Sequence, residues 1–175
     1  MFIMQESANK MRDIFLDKVV VNIGIGQNES QVENAKALIK KLTGKEAGIA
    51  LSKRRDPELK LRKGQAIGAL ATLRKKEASE MLKKALEANN STISARAIAN
   101  NSLNFGVKEY IYISGVKYDP KIGILGMNIN ASFARPGRRV ELRRRRSSRI
   151  GKRHREITRE ELAEYLQSHY NVKIQ

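Results

Sequence analysis

The sequence predicts an α+β fold: one antiparallel sheet, helices packed on one face, and the other face left open. Three observations lead there. Short runs rich in Val, Ile and Ala alternate with segments of helical period. The run from Met127 to Phe133 alternates apolar and polar residues without a break, the pattern of a strand with one dry face and one wet face. Hydrophobic residues make up 41% of 175 positions, enough to bury a core.

The elements follow in order. Lys18 to Ile23 is a β-branched run with Val19, Val21 and Ile23 on one face and Val20 and Asn22 on the other, closed by Gly24-Ile25-Gly26. Gln31 to Thr43 is a helix, with Val32, Ala35, Leu38, Ile39 and Leu42 at helical spacing. Ser30 and Glu33 form a capping box before it, and Gly44 is a C′ stop. Ile49 to Leu51 begins a second strand. The stretch SKRRDPELKLRKG, 52–64, is too charged for core and is broken by Pro57. Ala66 to Arg74 is a strand, and Lys75 to Ala88 a helix facing Ala78, Met81, Leu82, Ala85 and Leu86 inward.

Asn89 to Asn104 has no period and reads as an irregular connection. Val107 to Ile113 resumes strand character, which gives Tyr110 and Tyr112 one parity: a base-stacking face or a half-buried one. The segment 115–126 is a turn-rich loop. After Arg135-Pro136-Gly137 comes a basic run, and Thr158 then caps a last helix with Glu161 and turns Leu162, Tyr165 and Leu166 inward. The expected organisation is a domain over 1–134 and a basic extension over 135–175 in the same structural unit. Asn22, Thr72, Arg74, Asn128, Asn130 and Ser132 are expected on the open face.

Charge narrows the function. The net charge is +17, and Arg138 to Arg155 holds ten Lys or Arg against one acid in eighteen residues. Such a run repels itself in water, and a polyanion relieves it; neutralising nucleic-acid phosphates also releases condensed counterions. A solvated tail or localisation signal is the plainer reading, but here the run leads into a capped helix. Without cysteine there are no disulfides, thiolate metal sites or thiol nucleophiles. No apolar run approaches the ~18 residues of a membrane span, and MFIMQESANKMRD does not read as a signal peptide, so a cytosolic setting without membrane is expected. His154 and His169 fall in different segments, which argues against a metal site. Gly24-x-Gly26 lacks the third glycine of a dinucleotide loop. Neither a paired acid set nor a Ser–His–Asp arrangement emerges, so neither an enzyme nor a cofactor is expected.

Four stretches in order resemble one family: KVVVNIGIGQ (18–27), LRKGQAIGALATLR (61–74), FGVKEYIYISGVKYDPKIGILGM (105–127) and the RPGRRV…GKRHREITREE region (135–161). Together they resemble the L five family of large-subunit ribosomal proteins, in its archaeal and eukaryotic branch, over roughly residues 9–173. The resemblance implies binding of 5S ribosomal RNA in the central protuberance through the open face and first strand. It implies a basic loop near P-site transfer RNA, contacts with large-subunit ribosomal RNA and neighbouring ribosomal proteins, and an intersubunit bridge to a small-subunit protein, number thirteen. By motif, Asn22, Gly24, Gly26, Thr72 and Arg74 would meet 5S RNA. Lys53, Arg54, Arg55, Arg62 and Lys63 would form the transfer-RNA loop. Arg138, Arg139, Arg143, Arg144, Arg145, Arg146, Arg149, Lys152, Arg153, His154 and Arg155 would form the ribosomal-RNA-binding extension.

The chain departs from the family pattern in places. Leu70 stands where Lys or His is usual, Leu59 where an aromatic is usual, and Lys75 where a glycine follows Thr-Leu-Arg. Asp56 and Glu58 flank Pro57 in the basic loop, where acids would weaken attraction to phosphate. Asn100, Asn101 and Ser102 replace a glycine-rich stretch. Two other classes stay open: a general RNA-binding module such as a chaperone, and an RNA-acting enzyme. The first predicts equal affinity for unrelated structured RNAs; the second requires a catalytic group that the residues do not offer.

Overall fold

The structure, a computed structural model, describes residues 9–175 apart from 27 and 29. The side chain of Ser30 also lies outside the described residues, and with it the expected Ser30–Glu33 cap, as do residues 1–8 of the stretch read against a signal peptide and Gln27 of the first motif.

The chain runs β1 (Phe15–Gly24), α1 (Ser30–Thr43), β2 (Gly48–Leu51), β3 (Ala66–Leu73), α2 (Lys75–Ala88), β4 (Thr92–Ile93), β5 (Ile98–Ala99), β6 (Ser102–Val107), β7 (Met127–Ala134), two short helical turns α3 (Arg139–Leu142) and α4 (Lys152–Arg155), α5 (Arg159–Tyr170) and β8 (Lys173–Ile174). Six strands form one antiparallel sheet in the order β2-β3-β1-β7-β6-β5; β4 and β8 pair separately and in parallel. The expected α+β sheet with helices on one side is what forms.

The central strand sets the layers. Val19, Val21 and Ile23 are fully buried and meet Leu73, Ala71 and Ala69 across β3 and Ala131 and Ile129 across β7. Ala35, Leu38 and Ile39 of α1 and Met81, Leu82 and Ala85 of α2 pack on this side. Leu162 and Leu166 of α5 join the same core, so the carboxy-terminal helix is anchored by apolar burial. α1 ends at Gly44, whose φ of +69° suits a left-handed C′ position and whose N–H donates to Lys40 O.

Three expectations change. Asn89–Asn104 is not irregular throughout. Ser102–Val107 is a full strand whose partner is β7, and pairing supplied from a distant segment overrides weak local propensity. Val107–Ile113 is not a strand: β6 ends at Val107 and Tyr110–Tyr112 forms one 3-10 turn. Tyr110 is buried with its hydroxyl accepting from Asp119 N–H at 3.0 Å, whereas Tyr112 is exposed, so the two rings share no stacking face. Arg74 lies one residue beyond β3, in the N-cap position of α2.

Two departures from the family pattern coincide with left-handed backbone. Lys75 has φ +56° and Asn101 φ +64°. Glycine occupies that region freely, asparagine tolerably, and lysine at a cost of about 1–2 kcal/mol. Lys75→Gly should therefore raise stability by about 0.5–1 kcal/mol once the greater unfolded-state freedom of glycine is subtracted. A urea titration checks this, and an unchanged or lower midpoint would mean that the Lys75 conformation carries no strain.

Candidate nucleic-acid interface

Opposite the helices, the sheet presents the second set of each alternating strand. Register puts Thr72, Val20, Asn130 and Asn104 in one row, and Leu70, Asn22, Asn128 and Gly106 in the next. Lys18, Ser132 and Ser102 form a third. Asn130 Nδ2 donates to Asn104 Oδ1 at 2.8 Å, and Asn104 Nδ2 to Ser102 Oγ at 3.4 Å. None of these outward positions holds a carboxylate. Amides and hydroxyls without net charge can both donate and accept, which suits base edges and ribose 2′-hydroxyls better than phosphates.

Asn22 and Thr72 lie on this face, on neighbouring strands. Gly24 ends β1 opposite Gly68. A Cβ at Gly68 would stand 2.3 Å from Ile23 O, so the close approach of β1 and β3 requires glycine there. A Cβ at Gly24 would meet nothing, and its φ is not positive, so nothing inside the fold demands glycine at that position. Gly26, at φ +71°, is accounted for by the turn in which Ile25 and Gly26 donate to Ile67 O. Leu70 on β3 and Val20 on β1 leave apolar spots among the amides.

The face is bracketed by cations. At the Gly24 end stands the loop 52–64, with Lys53, Arg54, Arg55, Arg62 and Lys63 all exposed and without an acidic partner among the described residues. The loop is folded rather than slack: Asp56 and Leu61 exchange backbone bonds at 3.0 and 2.8 Å. Asp56 Oδ1 accepts from Glu58 and Leu59 N–H, so this acid is committed to the turn that shapes the loop. Leu59 is exposed.

At the other end Arg74 reaches Asp17 at 3.4 Å, and Arg138 reaches the same carboxylate at 3.9 Å. The extension starts here and is tied back at several points. Arg135 is buried; one guanidinium nitrogen meets Glu161 at 2.7 Å and another donates to Arg153 O. Asn101 donates to Arg155 O and accepts from Ile157 N–H, both at 2.8 Å. His154 Nε2 donates to Pro136 O, and Arg155 pairs with Glu141 at 3.1 Å. His154 and Arg155 therefore have internal partners. Arg143 donates its Nε–H to Arg146 O, and Lys152 approaches Glu156 at 3.8 Å. Arg139, Arg144, Arg145, Arg146, Arg149 and Arg153 remain exposed with no carboxylate within reach among the described residues.

Sequence reading missed Ser102 and Asn104, which complete the polar face. The signal was present in Leu103, Phe105 and Val107 alternating with Ser102, Asn104 and Gly106, but asparagines and serines in the flanks obscured it. No group of metal-ligating residues occurs among the described residues, and no helix there is long and apolar enough to cross a membrane.

A carboxylate-free polar sheet face between two clusters of unpaired cations is, on this α+β scaffold, a surface suited to a polyanion such as nucleic acid. The C-terminal part of the ribosomal L five P family matches residues 66–165. "Large ribosomal subunit protein uL5" of Sulfurisphaera tokodaii is 41% identical, covering 97% of this chain and 96% of its own. The proteins of the same name from Pyrobaculum aerophilum and Nitrosopumilus maritimus are 41% and 36% identical over 94% and 97% of this chain, and over 92% and 98% of theirs. The chain belongs to this ribosomal L five family, in its archaeal branch, and is a structural protein rather than an enzyme.

The clamp at the base of the extension has a pH signature. Burial pushes the Glu161 carboxyl up, but hydrogen bonds from Thr158 and the Arg135 guanidinium outweigh it and hold the group below its ordinary 4.5. A depressed carboxylate contributes stability that is present above its unfolded value and lost as pH falls through its folded value. Glu161→Gln should destabilise by about 1–2 kcal/mol at neutral pH, through the cap and the pair with Arg135. That gap should begin to narrow as pH falls below 4.5 and close below the lower folded-state value, where the wild-type carboxyl gains its proton. Denaturant melts of both proteins at neutral pH and near pH 3 check it; a gap unchanged by pH would mean that charge plays no part in the clamp.

Proposed function

We propose that the chain holds 5S ribosomal RNA in the large ribosomal subunit on its open sheet face. Its loop 52–64 faces P-site transfer RNA, its extension contacts large-subunit ribosomal RNA, and another surface meets a small-subunit protein across an intersubunit bridge. The work is structural and cytoplasmic. One observation carries the reading: a carboxylate-free face rich in amides and hydroxyls lies between exposed cations that nothing among the described residues neutralises. Phosphates would bind at the two ends and fix register, while the face between reads bases and riboses. The names of the archaeal relatives support placing it in the large subunit. Asp56 shapes the basic loop from within, which favours a loop ready to meet phosphate despite its acids.

The test is competition binding at physiological salt, with labelled 5S ribosomal RNA challenged by transfer RNA and an unrelated structured RNA. Preference for 5S RNA supports the assignment; equal competition would make the chain a general RNA-binding module instead. Asn22→Ala should cost about 1 kcal/mol or more of 5S affinity. Gly24→Ala should raise folding stability slightly, by about 0.4–1 kcal/mol through the unfolded chain, yet weaken 5S binding, because its added methyl meets only the RNA. An unchanged affinity in either variant removes that residue from the interface. Replacing Arg144 and Arg145 should weaken all RNAs alike and flatten the salt dependence by up to ~2 in log–log slope.

A further inference from the structure

We infer that the junction between β1 and the extension is a pocket for a single unstacked nucleobase, separate from the open face and the loop 52–64. The inference rests on reading the open face as an RNA surface, because the pocket opens from its Phe15 end.

Its construction follows from one irregularity. The β1–β7 register shifts between Leu16 and Lys18, with Asp17 as the extra residue. Leu16 stands opposite the buried Phe133, so Phe15 and its partner Ala134 take the outward phase. Ala134 is nonetheless only 2% exposed, and it lines one groove with Gly137, Arg138 and Leu142 of the extension. Phe15 beside it stays 42% exposed, and Leu142 of α3 is 70% exposed. Between them lies a groove of about 550 Å³, within the roughly 300–1,000 Å³ of small-ligand sites.

The lining has the two chemistries that an extruded nucleotide needs. Phe15 and Leu142 offer apolar surface to a base plane, and Arg138, Arg139 and Arg143 stand round the rim for its flanking phosphates. The sole acid of the lining, Asp17, is already shared between Arg74 and Arg138. The wall is also short of an acceptor: Arg135, 8% exposed, lines the groove, and its Nε is the buried side-chain donor without a partner among the described residues. An apolar protein segment would leave the rim guanidiniums unmatched, which is why the charge favours a nucleotide.

The absence of tryptophan makes the test direct. Phe15→Trp places one indole at the groove, and a stacked base quenches indole emission. A single-stranded hexauridylate or hexaadenylate should quench the emission saturably, by about half or more, while inorganic polyphosphate of matched charge should not. Phe15→Ala should lower affinity for 5S RNA about 5- to 100-fold at fixed salt and leave the salt slope unchanged, because stacking is lost and no phosphate contact is. Arg139→Gln should instead flatten that slope by ~1. Circular dichroism of each variant confirms that the sheet is intact. Unchanged emission with the oligonucleotides, while 5S RNA keeps its preference over competitors, overturns the pocket and leaves the proposed function standing. Quenching by oligonucleotides in a protein that shows no 5S preference supports the pocket and removes the function. Emission that changes with protein concentration alone assigns the groove to a second copy of the chain and overturns the pocket.

Discussion

The register of β1 is the constraint on which the rest depends. This strand is bonded on both sides, to β3 and to β7, and its side chains alternate strictly from Lys18 onward. A slip of one residue would carry Val19, Val21 and Ile23 to solvent and Asn22 into the core. Gly68 guards the pairing at one end, since any larger residue there would meet the Ile23 carbonyl. At the other end the bulge at Asp17 inverts the phase. That inversion puts Phe15 outward and leaves Asp17 at the margin, where it holds Arg74 and Arg138 in place.

The extension shows how a chain with net charge +17 attaches a basic segment to its own body. Few of its anchors use the cations of the run. Asn101 binds two backbone groups, the Pro136 carbonyl takes His154, and buried Ile157 with Leu162 and Leu166 supplies apolar contact. The buried cation, Arg135, lies ahead of the run and is matched by Glu161 of the capping box. Most of the run, including Arg144, Arg145 and Arg149, is left exposed and self-repelling, a state that a polyanion relieves. Stability and charge are thus handled largely by different residues, so an exposed cation such as Arg144 or Arg145 can be changed with little effect on the fold.

Much of this was legible where the chain's own period is strong. Met127–Phe133 alternates so regularly that its buried and wet faces could be named residue by residue, and all four apolar members are buried. Helices α1, α2 and α5 declared themselves by spacing and by caps such as Thr158 with Glu161. β6 and the Tyr110–Tyr112 turn were not legible. Ser102 and Asn104 have weak strand propensity, and the aromatic and β-branched residues near Tyr110 have strong propensity, yet pairing with β7 extends only to Val107. The family likeness named Lys75 and the stretch at Asn101 as departures from glycine, but only the backbone showed both to be left-handed.

By itself the sequence determined the class of fold, the apolar set of each long element, the charge and the absence of thiol chemistry. Those properties are local or additive: periodicity, capping and composition need no knowledge of what lies opposite. Tertiary structure alone decided that Ser102 and Asn104 join the polar face and Arg74 leaves its strand, which cations are spent internally and which stay free. It also decided that Phe15, Leu142 and three arginines meet round one groove. Strand register, a bulge and a folded-back extension bring those residues together from distant parts of the chain, and no local preference encodes such a meeting.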